Sequence, residues 1–181
     1  MTAEHDTETF EASEASTRLE AAYLANAADL LSYLGRRVAD RADAADLLGE
    51  TFLVAARRAA LIPRDEEQAR MWLFGVARRV LANAARGDVR RVRLAARLRE
   101  QVAALPPELP TDDAIEVRAA IERLPVDQAE VVRLVLWDGF TLAQAAAIVG
   151  ASEPAVRSRY QRARATLRAL LHEHHSGRSI R

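Results

Sequence analysis

Three prolines fall within residues 106–110, in the stretch Leu105-Pro-Pro-Glu-Leu-Pro-Thr-Asp-Asp. Each removes a backbone N–H and crowds the carbonyl four residues back, so no helix can run through this stretch. On both sides of it Ala, Leu, Arg and Glu dominate, all good helix formers, while β-branched and aromatic residues rarely alternate. The expected fold is therefore all-α, with two helical domains joined by a flexible acidic linker. A length of 181 residues suits two small domains, and a 50% hydrophobic composition supplies a core for each. With 5% aromatics, those cores must be built from Leu, Val and Ala.

Local signals refine the boundaries. Residues 1–17 are acidic with little apolar periodicity and are expected to be disordered. A first domain spans 18–98, a linker 99–113, a second domain 114–172 and a tail 173–181. In the first domain, helices are expected from about Arg18 to Ala39, from Asp43 to about Leu61, and from about Gln68 to past Arg86. Pro63 disfavours helix at Ile62 and separates the last two. In the second domain the helices read as 114–123, 126–137, 141–149 and 153–172.

The formal net charge is zero, yet the charges are segregated. Residues 1–20 carry 6 acidic groups against 1 basic, and residues 101–130 carry 7 against 2. Residues 21–100 carry 15 basic groups against 10 acidic, and residues 131–181 carry 8 against 3. Two basic modules separated by an acidic connector suit a polyanionic partner better than a neutral globule does. All 26 basic residues are Arg, whose planar fork fits phosphate and guanine. A GC-rich genome would also explain the absence of Lys, though not where the arginines sit.

With no cysteine, a disulfide scaffold, thiol catalysis and a Cys-based metal centre are excluded. No apolar run approaches the ~20 residues needed to cross a bilayer, so no membrane insertion is expected. The acidic start does not read as a signal peptide, and a cytoplasmic location is expected. No Gly-rich phosphate loop is present, and no cofactor is expected. His172, His174 and His175 cluster near the end without an acidic neighbourhood, which fits a solvated tail better than a metal site.

The second domain carries the most explicit motif. Asp138-Gly139 is a turn dipeptide, and Thr141-Leu-Ala-Gln144 matches a capping box. A short helix with small Ala145 and Ala146 follows. Gly150 supplies a turn with positive φ, and Ser152 is a good N-cap. Two short helices around a Gly turn form a helix-turn-helix. On the following helix, Val156, Tyr160, Ala163, Leu167, Leu170 and Leu171 share one side at 100° per residue. Arg157, Ser158, Gln161, Arg164 and Arg168 share the other, with Arg162 flanking them. Such a face can enter a major groove and read base edges or hold phosphates; the competing reading is a surface helix merely solvated by arginines.

Two further faces lie in the first domain. Trp72, Arg79, Asn83, Arg86 and Arg90 fall within about 60° of one another on a helix. A ring that stacks, an amide that bonds a base and arginines that hold phosphate suit a nucleic-acid strand. A core Trp with solvated arginines is the alternative. On the helix before it, Asp43, Asp46 and Glu50 are spaced i, i+3, i+7, and Leu47, Leu48 and Phe52 add apolar surface. Carboxylates would repel DNA, so a basic protein partner is the better expectation, with a solvated face as the alternative.

Together these segments resemble a bacterial RNA polymerase sigma factor of the sigma-70 family, extracytoplasmic-function (ECF) group. DAADLLGETFLVAARR is similar to the family's polymerase-binding helix. MWLFGVARRVLANAARGDVRR is similar to the helix that melts and reads the minus-ten element. AIERLPVDQAEVVRLVLWDGFTLAQAAAIVGASEPAVRSRYQRARATLRALL is similar to the module that reads the minus-thirty-five element. Glu153-Pro154-Ala155 departs from the small-residue start usual in that recognition helix.

The resemblance implies a non-enzymatic initiation factor that binds core RNA polymerase and promoter DNA, melts the promoter and is often restrained by an anti-sigma factor. It implies DNA contacts from Trp72, Arg79, Asn83, Arg86, Arg90, Arg157, Ser158, Gln161, Arg162, Arg164 and Arg168. It implies polymerase contacts from Asp43, Asp46, Leu47, Glu50 and Phe52. A stand-alone helix-turn-helix regulator is the alternative; it would need a ligand pocket or phosphoacceptor and a dimerisation helix, none of which is clear.

Overall fold

The computed structural model describes residues 2–38, 40–86 and 112–178, with side chains described for 13–38, 40–86 and 115–172. Every regular element among them is helical: α1 (Thr2–Gly35), α2 (Arg41–Arg57), a 3-10 turn (Ala59–Leu61), α3 (Glu66–Ala85), α4 (Asp112–Glu122), α5 (Val126–Leu136), α6 (Leu142–Val149) and α7 (Glu153–Arg178). The chain divides into two compact units, residues 1–105 and 106–181.

In the first unit α1, α2 and α3 pack on one another. α2 starts where Asp40 accepts a hydrogen bond from the Ala42 N–H at 2.9 Å, and α3 where Asp65 accepts from Gln68 N–H at 2.9 Å. These carboxylates cap otherwise unpaired N–H groups, so both helices begin two residues earlier than their apolar periodicity predicts. Ile62, ahead of Pro63, is extended, as the proline requires. The core is an interleaved aliphatic and aromatic layer. Leu30, Tyr33 and Leu34 of α1 and Leu73 and Phe74 of α3 are fully buried. Tyr33 meets Phe74 edge-on at 5.1 Å between centroids, and Tyr23 meets Phe52 at 4.8 Å. This edge-to-face geometry sets the positive ring edge against the negative ring face. Thr51 is buried and donates to the Leu47 carbonyl at 2.7 Å, and Asn26 donates to that of Ala22 at 2.9 Å. Each satisfies itself within its own helix.

The N-terminus departs from expectation. Residues 2–17, read as disordered, belong to α1. Toward the inner end of this stretch Ala15 is buried, and Glu14 pairs with Arg18 one turn on at 3.2 Å and with the distant Arg64 at 3.0 Å. α3 ends at Ala85 with Arg86 as C-cap, where a continuation past Arg86 was expected. Of the expected linker 99–113, residues 99–111 lie outside the described residues, and Asp112 and Asp113 open α4.

The second unit is built on a layer of Ala120, Ile121, Leu124, Ala129, Val132, Ala163 and Leu167, flanked by Val117, Trp137, Tyr160, Leu170 and Leu171. Thr141 and Gln144 form the reciprocal capping box that opens α6. Gly150 closes α6 at φ 70°, a conformation that costs a side-chain-bearing residue about 1–2 kcal/mol. Ala145 on α6 and Val156 on α7, on either side of this turn, are fully buried.

Candidate nucleic-acid interface

α7 separates its two faces as its periodicity predicts. Val156 and Ala163 are fully buried, Leu167 is buried, and Tyr160, Leu170 and Leu171 are half-buried. Arg157, Ser158, Gln161, Arg162, Arg164 and Arg168 are all exposed. The Arg164 guanidinium lies 5.8 Å from the Tyr160 ring centroid, which steadies the cation without covering it. The exposed side is a ridge of four arginines with Ser158 and Gln161 between them. Its width and chemistry fit a major groove.

Two α7 contacts were not foreseen. Arg159 is half-buried and bridges to Asp127 of α5 at 3.1 Å, so this arginine braces the module. Arg157 pairs with Glu153, one turn earlier on the same face. The i, i+4 spacing carried that second signal, whereas the 32-residue separation of Arg159 and Asp127 carried none.

In the first unit, α3 buries Leu73, Phe74, Val76, Ala77 and Val80. The opposite face presents exposed Arg79, Asn83 and Arg86, with Trp72 half-buried at its upstream end. The Arg86 guanidinium donates to Asn83 Oδ1, which fixes the amide orientation. Four of the five residues expected on this face are thus described, and together; Arg90 lies outside the described residues. A groove of about 650 Å³ opens between α1 and the segment leading into α3, lined by Asn26, Ile62, Pro63, Arg64 and Arg70 among others, and none of the Trp72 face lines it. Apart from Pro63's role as a helix breaker, the sequence did not single out these residues.

α2 divides differently from expectation. Asp43 is exposed, and Asp46, Leu47 and Glu50 are half-buried. At 100° per residue Asp43, Leu47 and Glu50 lie on one line, with Asp46 beside it. Phe52 is a correction: its ring is buried 9% exposed against Tyr23, on the inward side with Ala44, Leu48 and Ala55. The ring packs α2 on α1 and leaves little surface for a partner.

Residues 22–91 match sigma-70 region 2, and residues 114–167 match sigma-70 region 4. The chain is 34% identical over 168 residues to the ECF RNA polymerase sigma factor SigL of Mycobacterium tuberculosis, covering 86% of this chain and 89% of that protein. It is 38% identical over 144 residues to the ECF RNA polymerase sigma factor EcfG of Rhodopseudomonas palustris, covering 74% of this chain and 73% of that one. Two solved structures share the fold. The sigma factor RpoE of Bartonella quintana, crystallised with the anti-sigma factor NepR, superposes with a TM-score of 0.62 at 24% identity, over 82% of this chain and 93% of that chain. CnrH, solved with the cytosolic domain of CnrY, superposes with a TM-score of 0.61 at 22% identity, over 91% and 96%.

Proposed function

This chain belongs to the ECF group of the sigma-70 family of RNA polymerase sigma factors, and from that premise we propose how its two units share the work. As a sigma factor it binds core RNA polymerase and promoter DNA and directs transcription initiation. α2 docks on core polymerase through Asp43, Asp46, Leu47 and Glu50, a mostly acidic stripe that a polyanion would repel. α3 takes the non-template strand at the minus-ten element: Trp72 stacks, Asn83 bonds a base, and Arg79 and Arg86 hold phosphates. Unpairing that strand costs roughly a few kcal/mol, which stacking and polymerase contacts offset. α7 lies in the major groove of the minus-thirty-five element. Arg157, Ser158, Gln161 and Arg162 face the base edges in its first turns, and Arg164 and Arg168 face phosphates further along.

The single observation that best supports this reading is the run of two sigma-70 regions in order along one chain, each with an exposed face of the required chemistry. The chain acts without catalytic chemistry of its own and works in the cytoplasm. An anti-sigma protein is a third partner, since the Bartonella relative was solved bound to one.

Core polymerase capture tests the reading directly. Purified core enzyme should be retained by the immobilised chain, and Asp46→Arg with Glu50→Arg should weaken retention at least tenfold with the circular dichroism unchanged. Unchanged retention alongside weaker promoter binding would reverse the assignment of α2. Stable, specific operator binding by the chain without polymerase would favour a stand-alone regulator.

A further inference from the structure

We propose that Glu153 is itself a base-reading residue: with Arg157 it selects a cytosine next to the guanine that Arg157 contacts in the upstream promoter element. This rests on α7 being the helix that reads that element. Glu153 opens α7 and Arg157 lies one turn on, so the two share a face. Their side chains are joined by an ion pair and are 45% and 57% exposed, so neither is used up in the core.

The carboxylate already accepts from Arg157, which leaves lone pairs open, and a second donor on the DNA would offset its repulsion by the phosphates. Every other charged side chain on the exposed face of residues 153–172 is an arginine: Arg157, Arg162, Arg164 and Arg168. A carboxylate beside them faces a polyanion and is repelled by every phosphate. The major groove offers it two donors, the N4 amine of cytosine and the N6 amine of adenine. Adenine sets its acceptor N7 beside that amine, against the second carboxylate oxygen, whereas cytosine presents no neighbouring acceptor on its own edge. Cytosine is therefore preferred. The same carboxylate holds the Arg157 fork over the first turn, which pre-orients it for the O6 and N7 of guanine and keeps it from the nearest phosphate. The bland role for an acidic residue at a helix start is to offset the helix dipole, and the two roles predict different outcomes.

Selection over randomised minus-thirty-five elements, run with holoenzymes carrying the unaltered chain, Glu153→Ala, Glu153→Gln and Arg162→Ala, decides between them. The unaltered holoenzyme should enrich a cytosine beside a guanine. Glu153→Ala should lose discrimination at the cytosine about tenfold or more and leave distant positions alone. Glu153→Gln should move the preference at that position toward adenine, because an amide both accepts and donates and pairs with N6 and N7. If both Glu153 variants match the unaltered profile while Arg162→Ala alters it, α7 reads DNA and Glu153 does not. If all three variants leave the profile unchanged, base reading by α7 fails, and this proposal with it. A uniform loss across all sequences with a lower melting temperature would leave Glu153 as a helix-start residue only.

Discussion

The arginines of this chain differ in setting, and their neighbours decide what each is free to do. Arg159 and Arg70 are anchored: one reaches Asp127, the other reaches Asp29 at 2.9 Å while its guanidinium sits 4.9 Å from the centroid of the Phe74 ring. Each such partly exposed pair is worth only about 0–1 kcal/mol, so their value lies in orientation more than in stability. Arg162 and Arg168 are exposed on α7 and should fail differently when removed. Arg162→Ala should relax preference at one base pair by ~1–3 kcal/mol, as expected for a lost bidentate contact. Arg168→Ala should weaken all sequences alike and lower the slope of log affinity against log salt by about one. Binding titrations of the two holoenzymes over a salt series separate these outcomes. The arginine positions were legible as a face from spacing alone. Which of them are held by a carboxylate was legible only for the pair one turn apart.

At the scale of the element, caps and breakers were the most readable signals. The capping box of Thr141 and Gln144, the left-handed Gly150 and the extended Ile62 all stand where the sequence placed them. Orientation was harder. α2 carries Leu47, Leu48, Phe52, Leu53 and Val54, so apolar residues occur nearly all round it, and periodicity alone does not say which stripe faces inward. Phe52→Ala should therefore cost the fold ~3–5 kcal/mol, as truncating a buried ring does, and appear as a loss of stability ahead of any loss of polymerase affinity. The contact between Glu14 of α1 and Arg64 spans 50 residues, a separation that leaves no local signal in the sequence. α3 is the opposite case, with a clean inner stripe and a clean outer face. Arg79→Ala with Asn83→Ala should spare the fold and reduce transcription more on duplex promoters than on templates already opened at the minus-ten region. Equal loss on both would mean contact without a part in melting.

For the whole molecule, the proposed division of work would have two units engage one DNA. Residues 86–111 connect α3 to α4, and 26 residues can span at most roughly 90 Å. Each unit raises the local concentration of the other at its element, so modest separate affinities combine. The geometry must then match the helical phase of the promoter. Inserting about 5 base pairs between the two elements turns one by about half a helical repeat relative to the other, and initiation should fall at least tenfold. Unchanged output from that template would mean that the two units are not read together.

The chain has two tryptophans, and the fold assigns one to each unit: Trp72 half-buried on the outer side of α3, and Trp137 packed against the core of the second unit. Nature has in effect placed a separate optical probe in each half. Trp137→Phe leaves a chain whose emission follows the first unit, and Trp72→Phe one that follows the second, so the unfolding of each can be watched inside the intact protein. With polymerase present, a fork-junction promoter DNA carrying an exposed minus-ten strand should quench the emission of Trp72. Since polymerase has tryptophans of its own, the signal to measure is the difference between holoenzymes with and without Trp72. No difference on adding that DNA would place the indole away from the bases.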